Sequence, residues 1–124
     1  MFEIKDGTIY VTRGDIGAIT ITAKENNKRK YTFKKGDVLR FNVTDKNKCN
    51  CLKIKKDVVV EEETTEVIIY LDSEDTKLDD VINKEKEYWY EVELNPETAP
   101  QTIIGYDKKG AKKFILYPEG SESN

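Results

Sequence analysis

The chain has 124 residues, of which 37% are hydrophobic and 36% are charged, and its formal net charge is −3. This length corresponds to one domain that buries about two thirds of its unfolded surface. The sequence contains no apolar run that could span a membrane, and its first residues lack the layout of a signal peptide. We therefore expect that the protein does not contact a membrane and that it is assembled inside the cell.

The charges are distributed unevenly along the chain. Residues 1–56 contain 14 Lys or Arg and 6 Asp or Glu, whereas residues 57–124 contain 7 and 18. One interpretation is that basic and acidic strands lie side by side, where each opposite-charge pair adds about a few tenths of a kcal/mol. The other is a dipolar particle that meets copies or partners head to tail. Because the total charge is acidic, nucleic-acid binding is the less favoured function.

Two short alternating segments begin the chain. Thr8–Thr12 and Gly17–Lys24 predict strands, because apolar and polar residues alternate along both. Arg13-Gly14-Asp15 predicts the turn between them, since Gly14 can adopt dihedrals that other residues avoid. The residues expected to point inward are Ile9, Val11, Ile19, Ile21 and Ala23.

The next strand follows a polar hairpin tip, which is predicted at Glu25–Lys30. Val38–Thr44 alternates between an apolar and a polar face, and Lys35-Gly36-Asp37 predicts the turn before it. Asp45–Asn50 predicts a loop. Cys49 and Cys51 are too close in sequence for an unstrained disulfide, and no histidine or second cysteine pair completes a zinc site. We therefore expect two reduced thiols and no metal.

A strand and a helix are predicted next. Glu66–Leu71 is apolar on both faces, which predicts a strand that is covered on both sides. Thr76–Asn83 is the helical candidate, because Thr76 and Asp79 fit a capping box and an apolar stripe follows at helical spacing. A helix of this length would form a short link between sheets.

The longest alternating stretch is Glu87–Asn95. Its aromatic and β-branched residues recur with a period of two, which is typical of a long half-buried strand. The inward set is Tyr88, Tyr90, Val92 and Leu94, and the outward set is Trp89, Glu91 and Glu93. Because a slip of one residue would turn the large apolar groups outward, this strand fixes the register of its neighbours.

The last strands are predicted at Thr102–Tyr106 and Lys113–Tyr117, joined as a hairpin across Asp107–Gly110. About eight short strands, frequent turns and one short helical link indicate an all-β fold, an antiparallel β-sandwich. We place this β-sandwich domain at residues 1–118 and a flexible C-terminal tail at residues 119–124.

The outward face of the central strand holds the candidate site residues. Glu91 and Glu93 would lie about 7 Å apart, and such a carboxylate pair can serve glycoside hydrolysis; the regular alternation favours a solvated strand face instead. Trp89 is either exposed, as a sugar-stacking or subunit-contact residue, or covered by the Thr76–Asn83 link or a loop. Because the chain has no histidine and no phosphate-binding or nucleophile motif, we predict no enzyme and no catalytic, cofactor-binding or metal-binding residues.

Several short segments also occur in a characteristic order. They are Arg13-Gly14-Asp15, Tyr31-Thr32-Phe33, Gly36-Asp37-Val38-Leu39-Arg40-Phe41, Leu71-Asp72-Ser73-Glu74-Asp75-Thr76-Lys77-Leu78, Tyr88-Trp89-Tyr90-Glu91-Val92-Glu93-Leu94, Thr102-Ile103-Ile104-Gly105 and a closing strand at Phe114. In this order they resemble the immunoglobulin-like N-terminal domain of phage baseplate upper proteins and related phage tail proteins. The resemblance extends from about Ile9 to Tyr117.

The resemblance implies an antiparallel immunoglobulin-like β-sandwich and a structural, non-enzymatic role. The setting it implies is a virion or phage-tail-like particle assembled in the bacterial cytoplasm. The implied partners are other tail or baseplate proteins or copies of the chain in a homo-oligomer, with no nucleic acid, membrane or cofactor. We expect the interaction surface at Trp89, Glu91 and Glu93. The alternative is a carbohydrate-binding β-sandwich module for host-surface recognition, which would use Trp89 and nearby tyrosines.

Overall fold

A computed structural model describes residues 1–25, 28–45, 52–78 and 82–120. Cys49, Cys51 and residues 121–124 of the predicted tail lie outside the described residues. The described chain is mainly β-strand with one turn of helix. Its elements are β1 (Phe2–Lys5), β2 (Thr8–Thr12), β3 (Gly17–Ile21), β4 (Val38–Asp45), β5 (Leu52–Val59), β6 (Val67–Leu71), α1 (Ser73–Thr76), β7 (Lys86–Leu94), β8 (Gln101–Ile104) and β9 (Lys112–Tyr117).

Two sheets contribute to the core. The larger has seven strands in the order β1-β2-β9-β7-β4-β5, with β8 also paired to β7, and the smaller consists of β3 and β6. β2 and β9 run parallel, from Ile9 beside Phe114 to Thr12 beside Tyr117. The prediction of an antiparallel fold is therefore wrong for this pair. A parallel pair requires a long crossover, and here the crossover is most of the chain, which local periodicity does not record.

The core confirms the predicted inward faces. Buried side chains from both sheets form one cluster. Aromatic rings meet across the larger sheet, where the ring centroid of Phe41 lies 5.7 Å from that of Tyr90 and 6.5 Å from that of Phe114. The largest fully buried side chains include Tyr88, Phe33, Phe41, Phe114, Ile9 and Ile21. Burial of an aromatic side chain contributes more apolar area than burial of an aliphatic one, so this cluster is the main source of hydrophobic stabilisation.

β7 is the central strand of the larger sheet, as the sequence predicts. Tyr88 and Val92 are fully buried, and Tyr90 and Leu94 nearly so. One edge of β7 pairs with β4. The other edge pairs first with β9, along Lys86–Tyr90, and then with β8, at Val92 to Leu94.

The predicted hairpin between Thr102–Tyr106 and Lys113–Tyr117 is wrong. β8 and β9 share one edge of β7 instead of pairing with each other, because β7 has nine residues and can accommodate two short strands in succession. The turn between them is where the sequence places it. The backbone N–H of Asp107 donates to Gly110 at 3.1 Å, and the N–H of Gly110 donates back at 2.9 Å.

The helix lies earlier than predicted and comprises a single turn, Ser73–Thr76. Asp72 is its N-cap: the Asp72 carboxylate accepts from the Asp75 N–H at 3.0 Å, and the Asp75 carboxylate accepts from the Asp72 N–H at 2.8 Å. Thr76, the predicted cap, instead donates its hydroxyl to the carbonyl oxygen of Asp15 at 2.8 Å. The reciprocal pair at Asp72 and Asp75 is the stronger cap because two backbone-to-carboxylate bonds close it. Residues 79–81 of the predicted helix lie outside the described part.

The turn before β4 is held by Asp37. Gly36 has a φ of +95°, in the region that favours glycine. The Asp37 carboxylate accepts hydrogen bonds from the backbone N–H of Lys34 at 2.9 Å, the Tyr31 hydroxyl at 3.1 Å and the Asn95 amide at 3.2 Å. Burial acts to raise the pKa of Asp37, but these hydrogen bonds lower it below its ordinary value of 3.8.

Ion pairs join the basic first half of the chain to the acidic second half. A guanidinium nitrogen of Arg40 lies 2.8 Å from a carboxylate oxygen of Glu97, and the ammonium of Lys56 contacts the carboxylate of Asp75. These contacts favour the interpretation in which basic and acidic segments lie side by side. Within the described residues, the structure has no helix of the length and apolarity needed to cross a membrane.

Candidate interaction surfaces

β7 places Trp89, Glu91 and Glu93 together on the outer face of the larger sheet, as the period of two predicts. Each of the three is half-buried. Their cross-strand neighbours on β4 are Thr44, Asn42 and Arg40.

Trp89 is covered in part by a loop residue. Its ring meets the ring of Tyr106 edge-on, with 6.4 Å between centroids, and its Nε1 donates to the Glu87 carboxylate at 3.3 Å. Tyr106 is itself 77% exposed. A hollow of about 140 Å³ lies beside this aromatic pair, with Glu91 and Lys112 in its lining. Of the two alternatives for Trp89, partial cover by a loop is the one that the structure shows.

The charged side chains of this outer face are bonded to one another. The Asn42 amide donates to Glu93 at 3.1 Å. Arg40 donates to the two oxygens of Asp57 at 2.8 and 3.0 Å, and to Glu97 at 2.8 Å. The hydrogen bond from Arg40 lowers the pKa of Asp57 against the opposing effect of burial. The face is therefore a solvated surface on which Arg40, Asp57 and Glu93 have polar partners.

Glu91 and Glu93 have different surroundings although they share a strand face. Glu91 lines the small hollow beside Trp89, whereas Glu93 is engaged by Asn42. Among the described residues, no cluster of three or more acidic or cysteine side chains is placed to hold a metal ion. The two cysteines themselves are outside this part of the chain.

A second surface lies on the outer face of the smaller sheet. Its outward residues are Ala18 and Thr20 on β3 and Ile68 and Tyr70 on β6, and none of them is charged. Tyr70 is 64% exposed and Ile68 is 42% exposed. This surface is not among the sites that the sequence predicts.

The prediction that β6 is covered on both sides is wrong. Val67, Ile69 and Leu71 are buried, whereas Ile68 and Tyr70 face outward. The apolar residues on both faces of β6 are the sequence feature that could have predicted this surface. Such a pattern shows that both faces favour burial, but it does not show whether the cover comes from the same chain.

The exposed face of β6 continues into a groove between β5 and β6. A hollow of about 620 Å³ at one end is lined by residues that include Ile16, Ala18, Val58 and Tyr70. An adjoining hollow of about 690 Å³ shares Val58 and Tyr70 and extends to Val59 and Ile68. We call the two together the β5–β6 groove, defined by Ile16, Ala18, Val58, Val59, Ile68 and Tyr70.

Carboxylates lie at both ends of the β5–β6 groove. The end near the start of β6 is lined by Glu61, Glu62 and Glu66. The other end is lined by Asp72 and Lys56, and Lys56 is engaged by Asp75 and lies 3.9 Å from Asp72. The groove thus combines an apolar middle with ends at which carboxylates outnumber ammonium groups.

Compared with known proteins, the chain matches no family model and no curated protein sequence. The candidate function therefore rests on the two surfaces described above and on the ordered segments of the sequence.

Proposed function

We propose that the chain is a non-enzymatic structural component of a virion or phage-tail-like particle and that it acts through protein–protein contacts. The proposal includes an immunoglobulin-like arrangement of its two sheets. Its partners are other tail or baseplate proteins or copies of the same chain.

The observation that carries the proposal is the exposed apolar surface of the β5–β6 groove. Ile16 is 71% exposed and Tyr70 is 64% exposed, and both line the same hollow. Contiguous exposed apolar surface with a polar rim is a feature of sites where another protein binds. Covering these exposed side chains would contribute about 25 cal/mol for each Å² of apolar surface that a partner removes from water.

The particle setting is supported by the ordered segments, not by the groove. The segments that begin at Arg13 and end at Phe114 resemble those of baseplate upper proteins, and the groove supplies a surface through which such a subunit could be held. These two lines of support are independent. A test should therefore report separately on the particle setting and on the groove.

Co-sedimentation with purified particles tests the proposal. The tagged chain is expressed in the bacterium that produces the particles, which are then isolated on a density gradient and probed for the tag. We expect the wild-type chain in the particle fraction and about tenfold less of the Ile68→Lys variant there, because a buried unpaired ammonium is costly. A wild-type chain found only in the unassembled fraction would refute the particle setting.

The Ile4→Lys variant is the matched control for Ile68→Lys. Ile4 is 45% exposed and Ile68 is 42% exposed, and both lie on strands with an open edge, so the two substitutions differ mainly in location. We expect Ile4→Lys to sediment with the particles as the wild type does. Equal loss in the two variants would show that added charge, not the groove, is responsible.

Carbohydrate binding is the second candidate, and the pairing of Trp89 with Tyr106 favours it. The two rings border a hollow that also presents Glu91 and Lys112, and aromatic rings beside hydrogen-bonding groups are suited to a sugar ring. A glycan array tests this candidate. Specific binding that is lost in both Trp89→Ala and Tyr106→Ala, and kept in Ile68→Lys, would favour it over the structural role.

A further inference from the structure

We propose that the free edge of β6 accepts an extended segment of a partner protein as an additional β-strand, and that this segment is apolar in the middle and carries Lys or Arg at both ends. The inference rests on the protein–protein contact in the proposed function and specifies its partner and geometry. Strand addition of this kind takes affinity from backbone hydrogen bonds and specificity from alternate side chains.

β6 is an unprotected edge strand. Among the described strands it pairs only with β3, and its five residues, Val67–Leu71, include no charge, proline or glycine. Natural proteins usually protect an edge with lysine, proline, a bulge or a covering element. A short uncharged apolar strand with a free edge is a template for pairing with another chain.

The two outermost strands of the larger sheet, β5 and β1, carry charges that protect their open edges. β5 carries Lys53, Lys55 and Lys56, and β1 carries Glu3 and Lys5. β6 has no such charge. The edge strands β3 and β8 also lack charges, but of these three strands only β6 lines both hollows of the β5–β6 groove. The free edge at β6 therefore has the properties of a binding edge.

The β5–β6 groove provides contacts for the side chains of an added strand. Ile68 and Tyr70 stand on the outer face of β6, where cross-strand neighbours of a new strand would lie. Val58 lines both hollows together with Tyr70. Apolar and β-branched residues opposite an exposed aromatic side chain stabilise a strand pair. An apolar middle of about the length of β6 would therefore fit the groove.

The charges at the two ends determine the class of occupant. Glu66 precedes β6 and Asp72 follows it, and both are exposed. If β6 of a second copy paired antiparallel about Ile69, Glu66 of one copy would face Asp72 of the other at both ends. Like charges directly opposite each other destabilise a strand pair. A segment with basic residues at its ends places opposite charges there instead, so we assign the edge to a partner segment and not to β6 of a second copy.

Peptide binding to the purified full-length chain tests the inference. The probe is the synthetic peptide Lys-Lys-Val-Thr-Val-Thr-Val-Lys-Lys with a fluorescent label, and binding is followed by fluorescence anisotropy. We expect saturable binding that weakens about tenfold or more in Ile68→Lys and stays unchanged in Ile4→Lys. Replacing the four lysines of the peptide by glutamate should weaken binding by about tenfold, because the groove ends are acidic.

Backbone methylation separates strand addition from general hydrophobic contact. N-methylation of alternate amides on one edge of the peptide removes hydrogen-bond donors and keeps the side chains, and we expect it to abolish binding. Hydrogen exchange gives a second readout: the backbone amides of Val67–Leu71 should gain protection when the lysine peptide binds. Equal binding by the methylated peptide, equal binding by Ile68→Lys, or no binding by the lysine peptide would overturn the inference.

The outcomes distinguish this inference from the proposed function. If Ile68→Lys releases the chain from particles but the peptide does not bind, the structural role stands and strand addition is wrong. If the peptide binds as expected but the wild-type chain is absent from particles, strand addition stands and the particle setting is wrong.

Discussion

The outer faces of the two sheets differ in how they meet solvent. On the larger sheet, Asn42 donates a hydrogen bond to Glu93, and Arg40 forms ion pairs with Asp57 and Glu97. On the smaller sheet, Ile68 and Tyr70 are exposed, and the outward positions of β3 and β6 are all uncharged. A face that pairs its own charges is suited to water, whereas an exposed apolar face gains free energy when something covers it. The comparison favours the smaller sheet for the proposed protein-binding surface, whereas the predicted surface at Trp89, Glu91 and Glu93 stays a prediction.

The sharpest test of this comparison is within β6 itself. Ile69 is fully buried, and its neighbour Ile68 is 42% exposed. We expect Ile69→Ala to lower the free energy of unfolding by about 2–5 kcal/mol, because it leaves a cavity in the core. Ile68→Ala should change it by less than about 1 kcal/mol. Urea denaturation measures both, and equal effects would mean that Ile68 is covered in the monomer.

The inner side of the larger sheet is tested by Tyr90→Phe. The Tyr90 hydroxyl donates to the carbonyl oxygen of Gly7 at 2.6 Å, so its removal should cost about 1–2 kcal/mol near neutral pH. Burial raises the pKa of Tyr90 above its ordinary value of 10.0.

Tyr90 therefore ionises at a lower pH in the unfolded chain than in the folded chain. Its contribution to the free energy of unfolding is present below pH 10.0 and is lost as the pH rises above that value. The stability difference between the wild type and Tyr90→Phe should shrink in that direction. Denaturation curves at several alkaline pH values check this, and a difference that grows with pH would contradict it.

Asp37→Asn tests the polar contacts at the end of the larger sheet. Because Asp37 accepts three hydrogen bonds and its pKa is lowered from 3.8, the charged form stabilises the folded state. We expect a loss of about 1 kcal/mol at neutral pH. The contribution is present above pH 3.8 and is lost as the pH falls through the lower folded-state value, so wild type and variant should converge in acid. Thermal unfolding between neutral and acidic pH measures the convergence.

The smallest effect is expected from Arg40→Lys on the outer face of the larger sheet. Lysine keeps the charge but cannot donate two parallel hydrogen bonds to Asp57, which is 39% exposed. We expect a small loss of stability that decreases at high salt. A larger loss that does not depend on salt would show that a partner or another part of the chain covers this face.

Local alternation was enough to identify most of the strands and their inward faces. The row Tyr88, Tyr90, Val92 and Leu94 is buried as predicted, because a period of two leaves only one face that can join the core. The turns at Gly14, Gly36 and Asp107–Gly110 also follow from residue type. Placement of Trp89, Glu91 and Glu93 on one outer face needed no more than the same alternation.

The predictions were wrong where two nearby segments could form the same motif, or where a strand had two possible partners. Thr76 and Asp79 fit a capping box, but Asp72 and Asp75 form one a turn earlier. β8 and β9 are close in sequence and joined by a turn, yet each gains more by pairing with the long buried strand β7. The relative gain of two pairings depends on which strand is buried, and a single segment does not contain that information.

By itself, the sequence determined that this protein is mainly β, which residues of each strand face the core, and that its central strand is β7. Only the tertiary structure decided that β2 runs parallel to the last strand, β9, and that β6 has one covered face and one exposed face. The physical reason is that alternation is a property of neighbouring residues, whereas strand partners and cover are supplied by residues far away in the chain. Exposure of Ile68 and Tyr70, on which the proposed binding edge depends, belongs to this second class.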